Sequence, residues 1–137
     1  MSLVIDSSIT LAWFFEDERS AAADVVLRDV AEHGAIAPSL WRLEVANALH
    51  FAVRRKRVNT AFRDASLDDL RALMVTIDPE TDLHAWATTL QLAERFNLTL
   101  YDATYLELAQ RLGLPLATLD KELRIAADAL GVELLGL

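Results

Sequence analysis

Leu3-Val4-Ile5-Asp6-Ser7-Ser8 is a short apolar run that stops on a carboxylate and hands over to two small hydroxyl residues. Three apolar residues without polar alternation fit a strand buried on both faces, and Asp or Ser at its end suits the cap of a following helix. The same unit recurs further along the chain. Ala35-Ile36-Ala37 closes on Pro38, Val75-Thr76-Ile77 runs into Asp78-Pro79, and Leu116-Ala117-Thr118 leads to Leu119-Asp120. Val132 to Leu135 makes a fifth run.

Helical patterns fill the gaps between the runs. Helices are expected over Ser7–Phe15, Ser20–His33 with Gly34 as its stop, Leu40–Arg57 and Thr60–Met74. Three more are expected over Leu83–Phe96, Asp102–Leu112 before Gly113, and Lys121–Leu130 before Gly131. In the first of these three, Leu83, Trp86, Ala87, Leu90 and Ala93 share a stripe that predicts a buried face. Apolar strands alternating with helices predict an α/β fold: a three-layer α/β/α sandwich around a mostly parallel five-stranded sheet. Ligands of such sheets bind beyond the carboxyl ends of the strands, so chemistry is sought just after each run.

The chain has 137 residues, which fits a single domain over 1–137. It has no cysteine, which excludes a disulfide framework, a thiolate nucleophile and a Cys-ligated zinc site. Met1 leads directly into the first strand without a basic, then long apolar, signal segment, and no run approaches the roughly 20 residues of a membrane span. The expectation is a soluble, cytoplasmic protein with no membrane partner. A net charge of −8 argues against holding nucleic acid by basic surface alone. A hydrophobic content of 53% is high for this length and suggests apolar surface left for a partner or a second copy.

Four acids fall where ligands are expected. Asp6 follows the first strand, Asp120 lies two residues past the fourth, Asp102 opens a helix, and Glu44 lies in the first turns of the helix after the second strand. Carboxylates that converge repel one another, so a cation must sit among them or protons must be taken up. Magnesium or manganese suits an all-oxygen set and activates water toward phosphorus. The plainer reading is that Asp102 and Asp120 cap helices. Glu44 resists that reading, because Leu40-Trp41-Arg42-Leu43-Glu44-Val45-Ala46 is otherwise largely apolar and Arg42, two residues away, does not face it.

Other chemistries lack their residues. His33, His50 and His84 are scattered, with no i, i+4 zinc pair, and no phosphate-cradling glycine loop or Gly-x-Ser-x-Gly elbow is present.

Four segments in order, Val4-Ile5-Asp6-Ser7-Ser8, Glu44-Val45-Ala46-Asn47-Ala48-Leu49, Tyr101-Asp102-Ala103-Thr104-Tyr105 and Leu116-Ala117-Thr118-Leu119-Asp120, resemble the PIN-domain ribonucleases. The resemblance is strongest to the VapC-type toxins of bacterial toxin–antitoxin pairs, and it spans nearly the whole chain. It implies a PIN-like fold and a metal-dependent ribonuclease. Asp6, Glu44, Asp102 and Asp120 would hold Mg²⁺ or Mn²⁺, supported by Ser8, Asn47 and Thr118. It further implies an RNA substrate, a cognate antitoxin and a homodimer. Trp13, Phe14 and Phe15 are candidates for the antitoxin groove, or else plain core. Arg54-Arg55-Lys56-Arg57 would either contact RNA phosphates or simply complement a helix end. Two rivals share the acidic pocket: a phosphoacceptor receiver module, which would want paired acids after the first strand and an Asp ending the third, and a catalytically inactive PIN domain that only binds a partner.

Overall fold

The sheet is assembled from five short strands: β1 Val4–Ile5, β2 Ala35–Ala37, β3 Val75–Ile77, β4 Leu116–Ala117 and β5 Leu134–Leu135. The computed structural model describes residues 2–137. The strands lie in the order β3-β2-β1-β4-β5, and every adjacent pair is parallel. The expected α/β/α sandwich is therefore present, with a wholly parallel sheet. Leu3, Val4, Ile5, Leu116 and Ala117 are at most 1% exposed, which explains why the central strands contain no polar residue.

Eight helices connect the strands: α1 Ser7–Ala12, α2 Ala21–His33, α3 Trp41–Arg54, α4 Thr60–Ala72, α5 Thr81–His84, α6 Thr88–Phe96, α7 Leu100–Leu112 and α8 Lys121–Ala129. A 3-10 turn, Glu16–Glu18, follows α1. The boundary chemistry is local. Ser20 caps α2 by accepting from the Ala23 N–H at 3.1 Å. Gly34 ends it at φ +77°, where an added Cβ would stand 2.9 Å from the Met74 carbonyl, so only glycine fits.

The topology positions the site. The chain lays down β1, β2 and β3 in one direction and then returns to the other flank of β1 to place β4 and β5. The carboxyl ends of β1 and β4 thus flank the point where strand order reverses, the crevice where parallel sheets bind ligands. Register then brings the two strand ends together. Val4 lies beside Leu116 and Ile5 beside Ala117, so the next residues on each strand, Asp6 and Thr118, meet at the rim.

One expectation is corrected and one open alternative is decided. The helix expected over 83–96 is broken into α5 and α6, with Ala87 at φ −122° and ψ −106° between them. Only Ala93 of its apolar stripe is buried; Leu83, Trp86 and Leu90 are 72%, 93% and 51% exposed. The stripe was read on the assumption of one continuous helix, and with the break four of its five residues face outward. Trp13 and Phe15, candidates for a partner groove, are instead core at 6% exposure each, and the Trp13 indole N–H donates to the Ala23 carbonyl at 3.0 Å.

Candidate active site

Asp6 leaves β1 in extended conformation and caps α1, its Oδ1 accepting from the Ile9 N–H at 3.0 Å and from the Ser8 hydroxyl at 2.7 Å. A cap alone would leave Oδ2 idle. Instead Oδ2 accepts from the hydroxyl of Thr118, a side chain with no exposed surface at the end of β4. Thr118 in turn accepts from the Asp120 N–H at 3.0 Å, and Ser8 accepts from the Leu119 N–H at 2.9 Å. Ser8 and Thr118 therefore lock the ends of β1 and β4 together around one carboxylate. Arg124 holds the outer side, donating to the Thr118 and Leu135 carbonyls at 2.7 and 3.0 Å where the β4–β5 ladder ends.

Glu44 arrives on α3. The Thr10 hydroxyl donates to the Asp6 carbonyl at 2.7 Å and accepts from the Trp41 indole N–H at 3.0 Å, which fixes the start of α3 against α1. Three residues on, Glu44 Oε1 accepts from the hydroxyl of Tyr105, a residue with no exposed surface on α7. Asp102 sits one turn earlier on α7. It is not that helix's cap, because α7 begins at Leu100 and Thr99 caps it, accepting from the Asp102 N–H at 3.1 Å. This leaves the Asp102 carboxylate free of the capping role that its sequence position suggested. Asp120 does cap its helix, Oδ2 accepting from the Leu123 N–H at 2.9 Å.

The electrostatics tie the four acids into one group. Burial pushes the Asp6 carboxyl up to about 6, against hydrogen bonds from Thr118, Ile9 and Ser8 that pull it down, and repulsion from Asp102 adds to the rise. Glu44 is raised by burial and by repulsion from Asp102, although Tyr105 and Ser7 hydrogen bonds favour its anion. Asp102 is raised by burial and by repulsion from Asp120. Burial is the larger cause in all three, and repulsion between Asp102 and Asp120, and from Asp102 on Glu44 and Asp6, adds a smaller rise.

The donors fit a hard dication in kind, being carboxylates and hydroxyls with no soft ligand among them. Among the described residues, no three acidic groups converge closely enough to clasp an ion as they stand. Asp6 is held in place by its three donors, whereas Glu44, Asp102 and Asp120 are half-buried at the rim. Asn47 is exposed on α3 one turn beyond Glu44 and joins none of these hydrogen bonds among the described residues. Tyr105, Ser7 and Thr99 were not singled out from sequence. For Tyr105 the signal was available, since it lies i, i+3 from Asp102 and so shares its helix face.

Asp78, the acid that a receiver module would phosphorylate, is engaged elsewhere. Its Oδ2 lies 2.6 Å from Arg111 Nη2, and the same guanidinium holds the buried Glu107 through Nε at 2.8 Å. That cluster joins α7 to the end of β3 and leaves Asp78 4% exposed.

Comparison with known proteins agrees with this fold. The PIN domain family matches residues 3–129. Ribonuclease VapC3 of Pyrobaculum aerophilum is 31% identical over 127 residues, covering 90% of this chain and 92% of that protein. Ribonuclease VapC3 of Mycobacterium tuberculosis is 36% identical over 117 residues, covering 83% and 80%. Among solved structures, PAE2754 from Pyrobaculum aerophilum superposes with a TM-score of 0.71 at 27% identity, covering 98% of this chain and 83% of that one. VapBC2 from Rickettsia felis, solved with a DNA fragment from its promoter, has a TM-score of 0.67 at 13% identity over 100% and 99% of the two chains, a likeness of fold alone. With the family pattern spanning nearly the full length, the chain belongs to the PIN domain family.

Proposed function

We propose that this chain is a metal-dependent ribonuclease that hydrolyses RNA phosphodiester bonds at the Asp6, Glu44, Asp102 and Asp120 cluster, and that it is the toxin of a toxin–antitoxin pair. The observation that carries the reading is geometric: at the carboxyl ends of β1 and β4, Asp6 is held by the Ser8 and Thr118 hydroxyls, Glu44 is held by the buried Tyr105 hydroxyl, and Asp102 lies one turn from Tyr105 on α7. Four carboxylates placed about one strand-order reversal suit a dication that neutralises them. Divalent-metal dependence goes with the family; the finer assignment is Mg²⁺, with Mn²⁺ as the alternative. The names of the two VapC3 ribonucleases support the activity, and the VapBC2 likeness, at the level of fold, is in keeping with an antitoxin partner.

Asp6 is the fixed anchor, its position set by Ser8 and Thr118. Asp102 supplies the carboxylate least committed to other partners. Glu44 is aimed by Tyr105, and Asp120 closes the rim beside Asp6 through the Thr118 hydroxyl. When bound, the dication supplies Lewis acidity, lowering the pKa of a water and stabilising negative charge on the phosphate. Water adds across one phosphorus–oxygen bond, leaving a phosphate monoester on one fragment and a hydroxyl on the other.

Partners beyond RNA are an antitoxin and a second copy of the chain. Leu83, Trp86 and Leu90 are exposed apolar side chains of the kind such contacts bury. Among the described residues no helix is long and apolar enough to cross a membrane.

The test is cleavage of an unstructured RNA with Mg²⁺, with a chelator, and with Asp6→Asn. Cutting should require the metal and fall at least ~100-fold in the variant, as expected when a metal ligand is lost. A receiver module would instead become stably phosphorylated by a small phosphodonor, and an inactive PIN domain would leave RNA intact while still binding a partner.

A further inference from the structure

Resting on the ribonuclease reading, we infer that the outer face of α3 is a track for single-stranded RNA leading away from the acidic site, with Phe51, Arg54 and Arg55 as its binding platform. The observation is a periodicity. Seven residues are nearly two helical turns and eleven are three, so Glu44, Phe51 and Arg55 lie on one stripe, with Asn47 and Ala48 between them and Arg54 alongside. The stripe is open. Asn47, Phe51, Arg54 and Arg55 are exposed, and Phe51 keeps 40% of its surface in solvent. At about 1.5 Å rise per residue, Phe51 lies ~10 Å and Arg55 ~16 Å along the helix from Glu44. Those are spans of a few nucleotides of extended chain.

The far end of the stripe has the chemistry of a base-and-phosphate platform. The Arg54 and Arg55 guanidiniums stand 5.5 and 5.6 Å from the Phe51 ring centroid. Neither makes a salt bridge among the described residues, so both charges are available. Arg57 is a contrast within the same basic run. It is bound to Asp17 and Glu18 at 2.6 and 3.2 Å and lies 4.0 Å from the Phe15 ring centroid, so its charge is spent within the fold. An exposed aromatic beside two free guanidiniums is the combination that stacks bases and neutralises phosphates in single-strand binders. In a chain of net charge −8, this concentrates attraction for a polyanion along one line ending at the carboxylates.

The experiment measures binding of a fluorescein-labelled, unstructured RNA of about 12 nucleotides, long enough for one single-strand site. Fluorescence anisotropy is followed with Mg²⁺ in an Asp6→Asn background that keeps the RNA intact. Adding Phe51→Ala should weaken binding roughly 5- to 150-fold, the range for loss of one stacked base. Adding Arg54→Gln with Arg55→Gln, which leaves the ring in place, should weaken binding and lower the salt slope by about 1.4. Arg95→Gln, which removes an exposed guanidinium lying on a different ring, Phe96, should bind as the background does. Unchanged affinity in both stripe variants overturns the track. So does an equal loss in Arg95→Gln, which would indicate general charge only. A change in oligomeric mass with RNA affinity unchanged also overturns it, in favour of a protein contact. If wild-type chain fails to cut RNA, the ribonuclease reading itself falls; if it cuts while the stripe variants bind normally, only the track does.

Discussion

Asp6→Asn should make the metal-free protein more stable at alkaline pH. Asp6 is an acid whose carboxyl is pushed from 3.8 up to about 6 by burial. Its anion is therefore disfavoured in the folded state relative to the unfolded chain. Between pH 3.8 and about 6 the folded state binds more protons, so stability falls as pH rises through that window. Above it the full penalty, about 3 kcal/mol, is present. Asparagine removes the charge and keeps an acceptor for the Ile9 N–H and Ser8 hydroxyl, but its amide must find a new bond to Thr118, which offsets about 1 kcal/mol. The net gain is about 2 kcal/mol, or roughly 6 °C in Tm for a chain of this size. Thermal and urea unfolding in EDTA at pH 8 and pH 4 measure it, and the gap between variant and wild type should close at the lower pH. Saturating Mn²⁺ should reverse the order, since about a hundred-fold excess over Kd stabilises only the wild type, by ~2.7 kcal/mol. A variant less stable than wild type at pH 8 in EDTA, or a gap indifferent to pH, would refute the idea of an uncompensated buried anion.

Tyr105→Phe should leave the fold intact but free Glu44, weakening Mn²⁺ binding by calorimetry ~10- to 100-fold, as loss of a group that orients a ligand does. Unaltered metal affinity would show that Glu44 needs no such support. Arg111→Met should destabilise the protein by ~3–5 kcal/mol, because Asp78 and Glu107 are left buried without their cation. Denaturation midpoints would record that loss, and Mn²⁺ affinity of the folded fraction should not change, since this cluster lies apart from the four site acids.

Much of this was legible because it is written in local chemistry. The apolar strands could be read from runs such as Leu3-Val4-Ile5, since a strand buried on both faces admits no polar residue. Asp6 and Asp120 could be placed because they follow strands, and Gly34 marked a helix end because of its positive φ. Long-range contacts were not legible in the same way. The hydrogen bond of Thr118 to Asp6 depends on β4 returning beside β1, and that of Tyr105 to Glu44 on the fold bringing the first turns of α7 and α3 to the same end of the sheet, neither of which a linear pattern encodes. The break between α5 and α6 carries no glycine or proline, so the stripe from Leu83 to Ala93 read as one helix. Asp102 stayed open to a capping reading beside its reading as a ligand because Leu100 and Tyr101 looked like the tail of an apolar run, whereas Thr99 is the capping residue.

The decisive measurement is an anomalous-scattering map from crystals of this protein soaked in Mn²⁺. A peak within coordination distance of Asp6 and Asp102, lost in Asp102→Asn crystals, is the expected result. Saturating Mn²⁺ that leaves this crevice empty, or settles on other carboxylates, would contradict the assignment of the cluster as a metal centre.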